Sequence, residues 1–232
     1  MNYFICKSIT HFYEKIKDIL YNHQIKLQKA SNMKTIYIFR HGETDWNKAS
    51  RFQGRTAHVP LNESGKKQAE SLAESLSDKS IEHIFTSPAL RARQTADALN
   101  ACFQVGITEV EDLQERAFGL LEGVSFDEII HTYPELEIQL KSSKNNDFTS
   151  SEGIAYNVER LSDLQKRIHD AVLSIVASTP KETIAISTHG SALLNLLIHM
   201  GVGMDRHLKN GEYVTLAFCP VKSQLSIINS AD

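Results

Sequence analysis

Hydrophobic positions along this chain switch between two periods, and the switching marks out the elements. Residues 9–20 place Ile9, Phe12, Tyr13, Ile16, Ile19 and Leu20 at helical spacing. Thr35–Phe39 is a short β-branched and aromatic run, which predicts a buried strand. Asn62–Ser77 predicts a helix with Ala69, Leu72, Ala73 and Leu76 on one face. Ile81–Thr86 predicts a strand, and Ala89–Ala101 a helix whose first turn includes Pro88. Val105–Val110 follows as a further strand. Ser125, with Glu128 three residues on, has the spacing of a capping box opening a short helix. Lys141–Gly153 is polar and turn-rich, hence a surface loop, and Val158–Ser178 is a long amphipathic helix. Thr183–Ser187 is a second buried strand, followed by a helix over Ser191–Met200 and strands over Glu212–Phe218 and Leu225–Asn229. Strands alternating with helices predict an α/β fold with a mostly parallel sheet.

The length of 232 residues suits one large domain or at most two small ones, and neither an internal repeat nor a linker divides it. A hydrophobic share of 41% and a charged share of 23% are those of a globular chain and exclude a disordered or collagenous one. Cys6, Cys102 and Cys219 are odd in number and far apart, which predicts reduced, buried thiols and a cytoplasmic setting rather than a disulfide framework. No apolar run approaches the roughly 18 residues a membrane span needs, and the N-terminus lacks a secretory pattern.

Charge divides the chain unevenly. Five lysines against Glu14 and Asp18 give residues 1–32 a charge of +3, so a total of -3 leaves -6 on residues 33–232. A global basic field for nucleic acid is absent. Any anionic substrate must therefore meet locally concentrated positive charge. Three readings of residues 1–32 stay open: a basic amphipathic helix for a membrane surface or partner, an extension packed on or loosely attached to the body, or a dispensable leader with Met33 as the true start.

Ligands of parallel α/β sheets gather at the carboxyl ends of the strands. The first strand ends in Arg40-His41-Gly42-Glu43-Thr44, the second in Thr86-Ser87-Pro88 ahead of Arg91 and Arg93, and the one at 183–187 in Thr188-His189-Gly190. If these strands are neighbours, Arg40, His41, Arg91 and His189 converge. Arg93, two positions after Arg91, points elsewhere on a helix.

These residues resemble four sequence blocks of the histidine phosphatase superfamily, also called the phosphoglycerate mutase-like family. The first is Arg40 to Thr44 with Trp46-Asn47, Arg51-Phe52-Gln53-Gly54, Pro60-Leu61, Gly65 and Gln68-Ala69. The second runs from Ser87 to Ala96, the third from Leu113 to Gly119 with Glu122-Gly123, and the fourth is Thr188-His189-Gly190. The resemblance covers most of residues 33–218 and implies a three-layer α/β/α, phosphoglycerate mutase-like fold. It implies a catalytic domain over 33–232, with 1–32 as an extension that the family does not explain. It implies His41 as nucleophile, Glu115 as general acid and base, and Arg40, Arg91 and His189 as the electrostatic cradle. Asn47, Gln53, Gly54 and Gly190 join Arg40, Arg91 and His189 as substrate-binding residues. No cofactor and no metal are expected, because two guanidiniums can supply the charge that a transferring phosphoryl group needs.

The expected partner is a small phosphorylated metabolite, with no nucleic acid, no membrane span and an open oligomeric state. The expected reaction is phosphomonoester hydrolysis. Its alternatives are phosphoglycerate mutase chemistry and non-catalytic phosphate binding on the same fold. The short Glu115-to-His189 interval and the Phe118 to Gly123 block resemble the phosphatases more than the mutases. The chain also departs from the family. The Asp common before the Pro-Leu unit is missing from Arg55 to Leu61, which makes Arg55 and His58 candidate specificity residues. The Gly-Glu-Ser unit common before the long helix has Ser150-Ser151-Glu152-Gly153 as its counterpart, and Lys144 to Phe148 lacks the arginine typical of sugar bisphosphatases.

Overall fold

The computed structural model describes residues 33–132, 136, 156–203 and 208–229. The helix expected over 9–20 and the loop expected over 141–153 lie outside them.

The first strand shows how the sequence generates the layers. In β1 (Lys34–Arg40), Ile36, Tyr37, Ile38 and Phe39 are consecutively buried, as in a strand covered on both faces. Alternation then sorts them. Ile36 and Ile38 join one apolar cluster, and Tyr37 and Phe39 join another on the opposite face. The first cluster is closed by α5 (Leu161–Ser178) and α6 (Gly190–His199), which present residues such as Leu164, Ile168, Val172, Leu193 and Leu196. The second is closed by α2 (Glu63–Leu76) and α3 (Leu90–Phe103), through Leu72, Leu76, Ala96 and Leu99. Two helical layers thus sandwich one sheet, and truncating a buried Ile or Leu in either interface to Ala costs about 2–5 kcal/mol.

Among the described residues the sheet has six strands, in the order β3 (Gly106–Glu109), β2 (His83–Thr86), β4 (Thr183–Thr188), β1, β5 (Tyr213–Cys219) and β6 (Gln224–Asn229). Strands β2, β3, β4 and β1 run parallel. Strands β5 and β6 complete it antiparallel. Register sets Arg40 opposite Thr188 and Thr86 opposite Ser187, so three strand ends lie side by side. A smaller apolar cluster of Phe118, Leu121, Ile129, Leu136 and Tyr156, with Phe52 against it, supports the segment facing those ends.

The local caps explain several boundaries. Asn62 caps α2 by accepting from the Gly65 N–H at 2.8 Å. Ser125 accepts from the Glu128 N–H at 3.2 Å and opens α4 (Phe126–Thr132). Lys34 Nζ reaches the carbonyls of Val176 and Thr179 at the end of α5. Two expectations are corrected. Pro88 stands outside α3, because Ala89 is the extended N-cap and the chain enters the helix only at Leu90. Cys102 is exposed and Cys219 half-buried, so neither is the buried thiol expected. The short α1 (Asp45–Lys48) carries no hydrophobic period to predict it and exists through a capping box between Thr44 and Asn47. No helix among the described residues is long and apolar enough to cross a membrane.

Candidate active site

His41 follows the last residue of β1, and its N–H donates to Thr188 O at 3.0 Å. The next residue must be very small. A Cβ on Gly42 would stand 2.3 Å from Gly65 O, and one on Gly65 2.0 Å from Glu43 O, so the end of β1 and the start of α2 pack backbone on backbone. The His41 ring is 3% exposed. Its Nδ1 lies 2.7 Å from Gly42 O. A carbonyl only accepts, so Nδ1 carries the proton and Nε2 keeps its lone pair. Burial, with Arg91 and then Arg40 nearby, holds the imidazole well below its usual pKa, so it is neutral at neutral pH.

His189 occupies the matching place after β4. The two rings are 5.2 Å apart, near edge to face. His189 is fully buried, its Nε2 is 2.8 Å from Ser87 Oγ, and its Nδ1 has no hydrogen-bond partner among the described residues. Burial and Arg91 push it, too, well below the usual range.

The arginines are held by backbone. Arg91, in the first turn of α3, is fully buried, with Nη1 donating to Thr56 O at 2.7 Å and Nη2 to Gly54 O at 2.9 Å. Burial lowers its pKa to about 10, and Glu115 opposes the shift, so it stays charged at neutral pH. Arg40 Nη1 donates to Leu208 O at 2.7 Å. Gly190 opens α6 beside it, since a Cβ there would stand 3.2 Å from the Arg40 guanidinium carbon. The Nε atoms of both arginines are buried without a partner among the described residues.

Glu115 is tied to the start of α6. Oε1 accepts from the N–H groups of Ala192 (2.9 Å) and Arg116 (2.8 Å), and Oε2 from Ser191 (3.0 Å). Its carboxylate thus also satisfies helix donors. Asn47 Oδ1 accepts from the Thr44 N–H at 3.1 Å, which orients the amide and leaves Nδ2 as a donor.

A cleft of about 160 Å³ brings these groups together. Arg40, His41, Asn47, Arg91 and Glu115 line it, as do Gln53, Gly54 and Arg51. That is below the roughly 300–1,000 Å³ of drug-sized sites and suits a small anionic group. His189 and Gly190 are not among the residues that line it; they stand beside two that do, His41 and Arg40. Arg51 reaches the rim, with Nη1 on Gly123 O at 2.6 Å. Arg55 is turned to Glu159 at 3.3 Å, and exposed His58 meets the edge of Trp46, so neither candidate specificity residue lines the cleft. Arg93 pairs with Asp97 and Glu109 on the surface. Glu43 accepts from Asn62 Nδ2 at 2.9 Å. Ser150–Gly153 and Lys144–Phe148 lie outside the described residues.

Several contributors had no sequence signal. Asn210 Nδ2 donates to His41 O at 2.9 Å. Glu159, which precedes the N-cap Arg160 of α5, pairs with Arg167 at 2.8 Å, and Arg167 donates to the carbonyls of Asp112, Gln114 and Glu115. Ser87, by contrast, stood visibly at a strand end, without a role.

Comparison with known proteins adds to this geometry. The family model described as histidine phosphatase superfamily (branch 1) matches residues 36–229. The chain is 32% identical over 171 residues to the uncharacterized phosphatase PhoE of Bacillus subtilis (strain 168), covering 74% of this chain and 79% of that one. It is 33% identical over 184 residues to the probable phosphoglycerate mutase GpmB of Yersinia pestis (strain Pestoides F), covering 76% and 80%. The solved structure of Bacillus stearothermophilus YhfR matches with a TM-score of 0.74 at 28% identity, covering 85% of this chain and 96% of that one.

Proposed function

The chain belongs to the histidine phosphatase superfamily, and from that premise we propose that it hydrolyses a small phosphomonoester through a phosphohistidine on His41. The observation that carries the proposal is the Gly42 carbonyl on His41 Nδ1. It leaves a neutral ring with its Nε2 lone pair at a cleft holding two guanidiniums.

In the proposed mechanism, Nε2 attacks phosphorus and the bond from phosphorus to the ester oxygen breaks. The leaving oxygen takes its proton from Glu115. Oε2 of Glu115 accepts one N–H and so retains a lone-pair site for that proton. Water then attacks the phosphohistidine and gives a proton back to Glu115. The P–N bond breaks, inorganic phosphate leaves and neutral His41 returns. Arg40 and Arg91 stabilise the equatorial oxygens, Asn47 Nδ2 adds a neutral donor, and Gln53 with the Gly54 backbone shapes the wall. When Ser87 donates to His189 Nε2, the neutral His189 ring carries its proton on Nδ1, its unpartnered nitrogen, as a further donor. Gly190 keeps the start of α6 close to Arg40. The arginines supply the positive charge, so the scheme uses no metal. Residues 33–232 form the proposed catalytic domain, and residues 1–32 precede the family match.

Hydrolysis is favoured over mutase chemistry by the short interval between Glu115 and His189 and by the Phe118–Gly123 block; the relatives' names include both a phosphatase and a mutase. Mixing the protein with phosphomonoesters and quenching in base is expected to trap acid-labile phosphate on His41 and, at longer times, to release inorganic phosphate. Isomerisation of 3-phosphoglycerate that depends on 2,3-bisphosphoglycerate, without phosphate release, would make it a mutase. Tight phosphate binding with neither trapping nor turnover would make it a binder.

A further inference from the structure

Glu122 does not line the cleft, yet its carboxylate joins the two segments that face one another across it. Oε1 accepts from the N–H of Arg55 at 3.0 Å and from the N–H of Phe118 at 3.0 Å. Oε2 accepts from Thr56 Oγ1 at 2.9 Å. The carboxylate also fills the space beside Gly54. That residue has φ +50, and a Cβ on it would fall 2.1 Å from Glu122 Oε1. Only glycine combines that backbone with that neighbour.

The turn that Glu122 grips is the one that grips Arg91. Gly54 O and Thr56 O are the two acceptors on the Arg91 guanidinium, at 2.9 and 2.7 Å. Arg91 is fully buried and its Nε has no partner among the described residues, so these two carbonyls determine where the fork points. Carbonyl positions follow the backbone, and here the Arg55 N–H and the Thr56 hydroxyl, both bound by Glu122, pin that backbone. The Phe118 N–H ties the same carboxylate to the segment that begins at Glu115.

We propose that Glu122 is a positioning residue of the active site: it fixes the Gly54–Thr56 turn, through whose carbonyls Arg91 is aimed at the phosphoryl group. The inference rests on reading the cleft as a phosphoryl site. Displacement of a binding group by about 1 Å can cost on the order of 100-fold in rate, so the effect is measurable although Glu122 touches no substrate.

The test uses the full chain, inorganic phosphate as competitive inhibitor and p-nitrophenyl phosphate as substrate. Glu122→Ala is expected to weaken phosphate inhibition at least about tenfold, with kcat/KM falling in step. Glu122→Gln keeps one oxygen for both N–H groups, and its amide can donate to Thr56 Oγ1, so it is expected to remain within about threefold of wild type. A Glu122→Ala enzyme that loses thermal stability but keeps its phosphate affinity within twofold overturns the proposal. So does a Glu122→Gln enzyme as impaired as the alanine variant, since the effect would then belong to charge. If the alanine variant does not fold, Thr56→Val removes only the Oε2 link. About threefold weaker phosphate inhibition is then expected with only a small loss of melting temperature, and unchanged inhibition overturns the idea. Direct titration with phosphate reads the same contrast if wild type proves to bind without turnover, which separates failure of this proposal from failure of the phosphatase reading.

Discussion

Strands β1 and β4 are parallel neighbours, and each ends in a His-Gly pair at the same level of the sheet. The strand ends place both rings, but the next partner in space decides what each can do. His41 spends Nδ1 on its own neighbour's carbonyl and presents Nε2. His189 spends Nε2 on Ser87, from the end of β2, and is left with Nδ1. One dipeptide repeated side by side therefore leaves opposite ring nitrogens without a partner among the described residues, Nε2 on His41 and Nδ1 on His189, and in the proposed mechanism the first attacks and the second donates. The glycines differ as well: Gly42 meets rigid backbone, whereas Gly190 meets a side chain.

The widest test of that contrast compares alanine at the two histidines. His41→Ala is predicted to lower kcat/KM for a phosphomonoester by about 10⁴-fold or more, because the bond-forming atom is gone. His189→Ala is predicted to lose about 10²–10³-fold, as for removal of one stabilising donor. Equal losses would erase the division of labour. A smaller effect is expected at the glycines. Gly42→Ala should cost about 1–3 kcal/mol in urea unfolding, since Gly65 O cannot yield. Gly190→Ala should leave stability nearly unchanged and weaken phosphate binding severalfold through Arg40. The reverse order would show that the two strand ends are packed alike.

The smallest effect is protonic. Both imidazoles are held well below 6.5 in the folded protein, burial being the largest cause. Unfolded, they bind protons near 6.5, so the unfolded state takes up more protons once the pH drops below that value. Their contribution to stability is whole above pH 6.5 and declines as the pH falls toward their folded values, by about 1 kcal/mol per histidine and pH unit. Side-chain NMR is expected to find both rings neutral through pH 6.5, with Nδ1 protonated in His41. A titration near 6.5 at either ring would contradict the burial argument.

How much of this was legible in the sequence follows from how local each signal is. The strand of Thr35–Phe39 and the helix of Val158–Ser178 carry their own periods, so they could be read without the fold. Arg40, His41, Arg91 and His189 could be grouped because parallel strands must end on one edge, and their block order resembled a family. Glu122 stands in the third of those blocks but with no role attached, and Asn210 and Arg167 could not be found that way. Each binds backbone groups that lie more than fifty positions away, Arg55 N–H for Glu122, His41 O for Asn210 and three carbonyls for Arg167, and a carbonyl or N–H has no letter in the sequence. Arg91 shows the same limit: its position in a helix start was readable, but its complete burial was set by the turn that folds over it. Arg55 and His58 were chosen for lying in a segment that departs from the family, and proximity in sequence did not carry them into the cleft.

The last feature concerns time rather than space. Arg40 is clasped by Leu208, 168 positions later, and the backbone of His41 by Asn210. Both clasps come from the loop entering β5, whose antiparallel direction brings its start, not its end, to the cleft. A ribosome synthesising this chain from its N-terminus makes the proposed nucleophile early and its restraints late. Competence for the proposed phosphoryl chemistry is therefore among the last properties the nascent polypeptide acquires, well after strand β1 has been made.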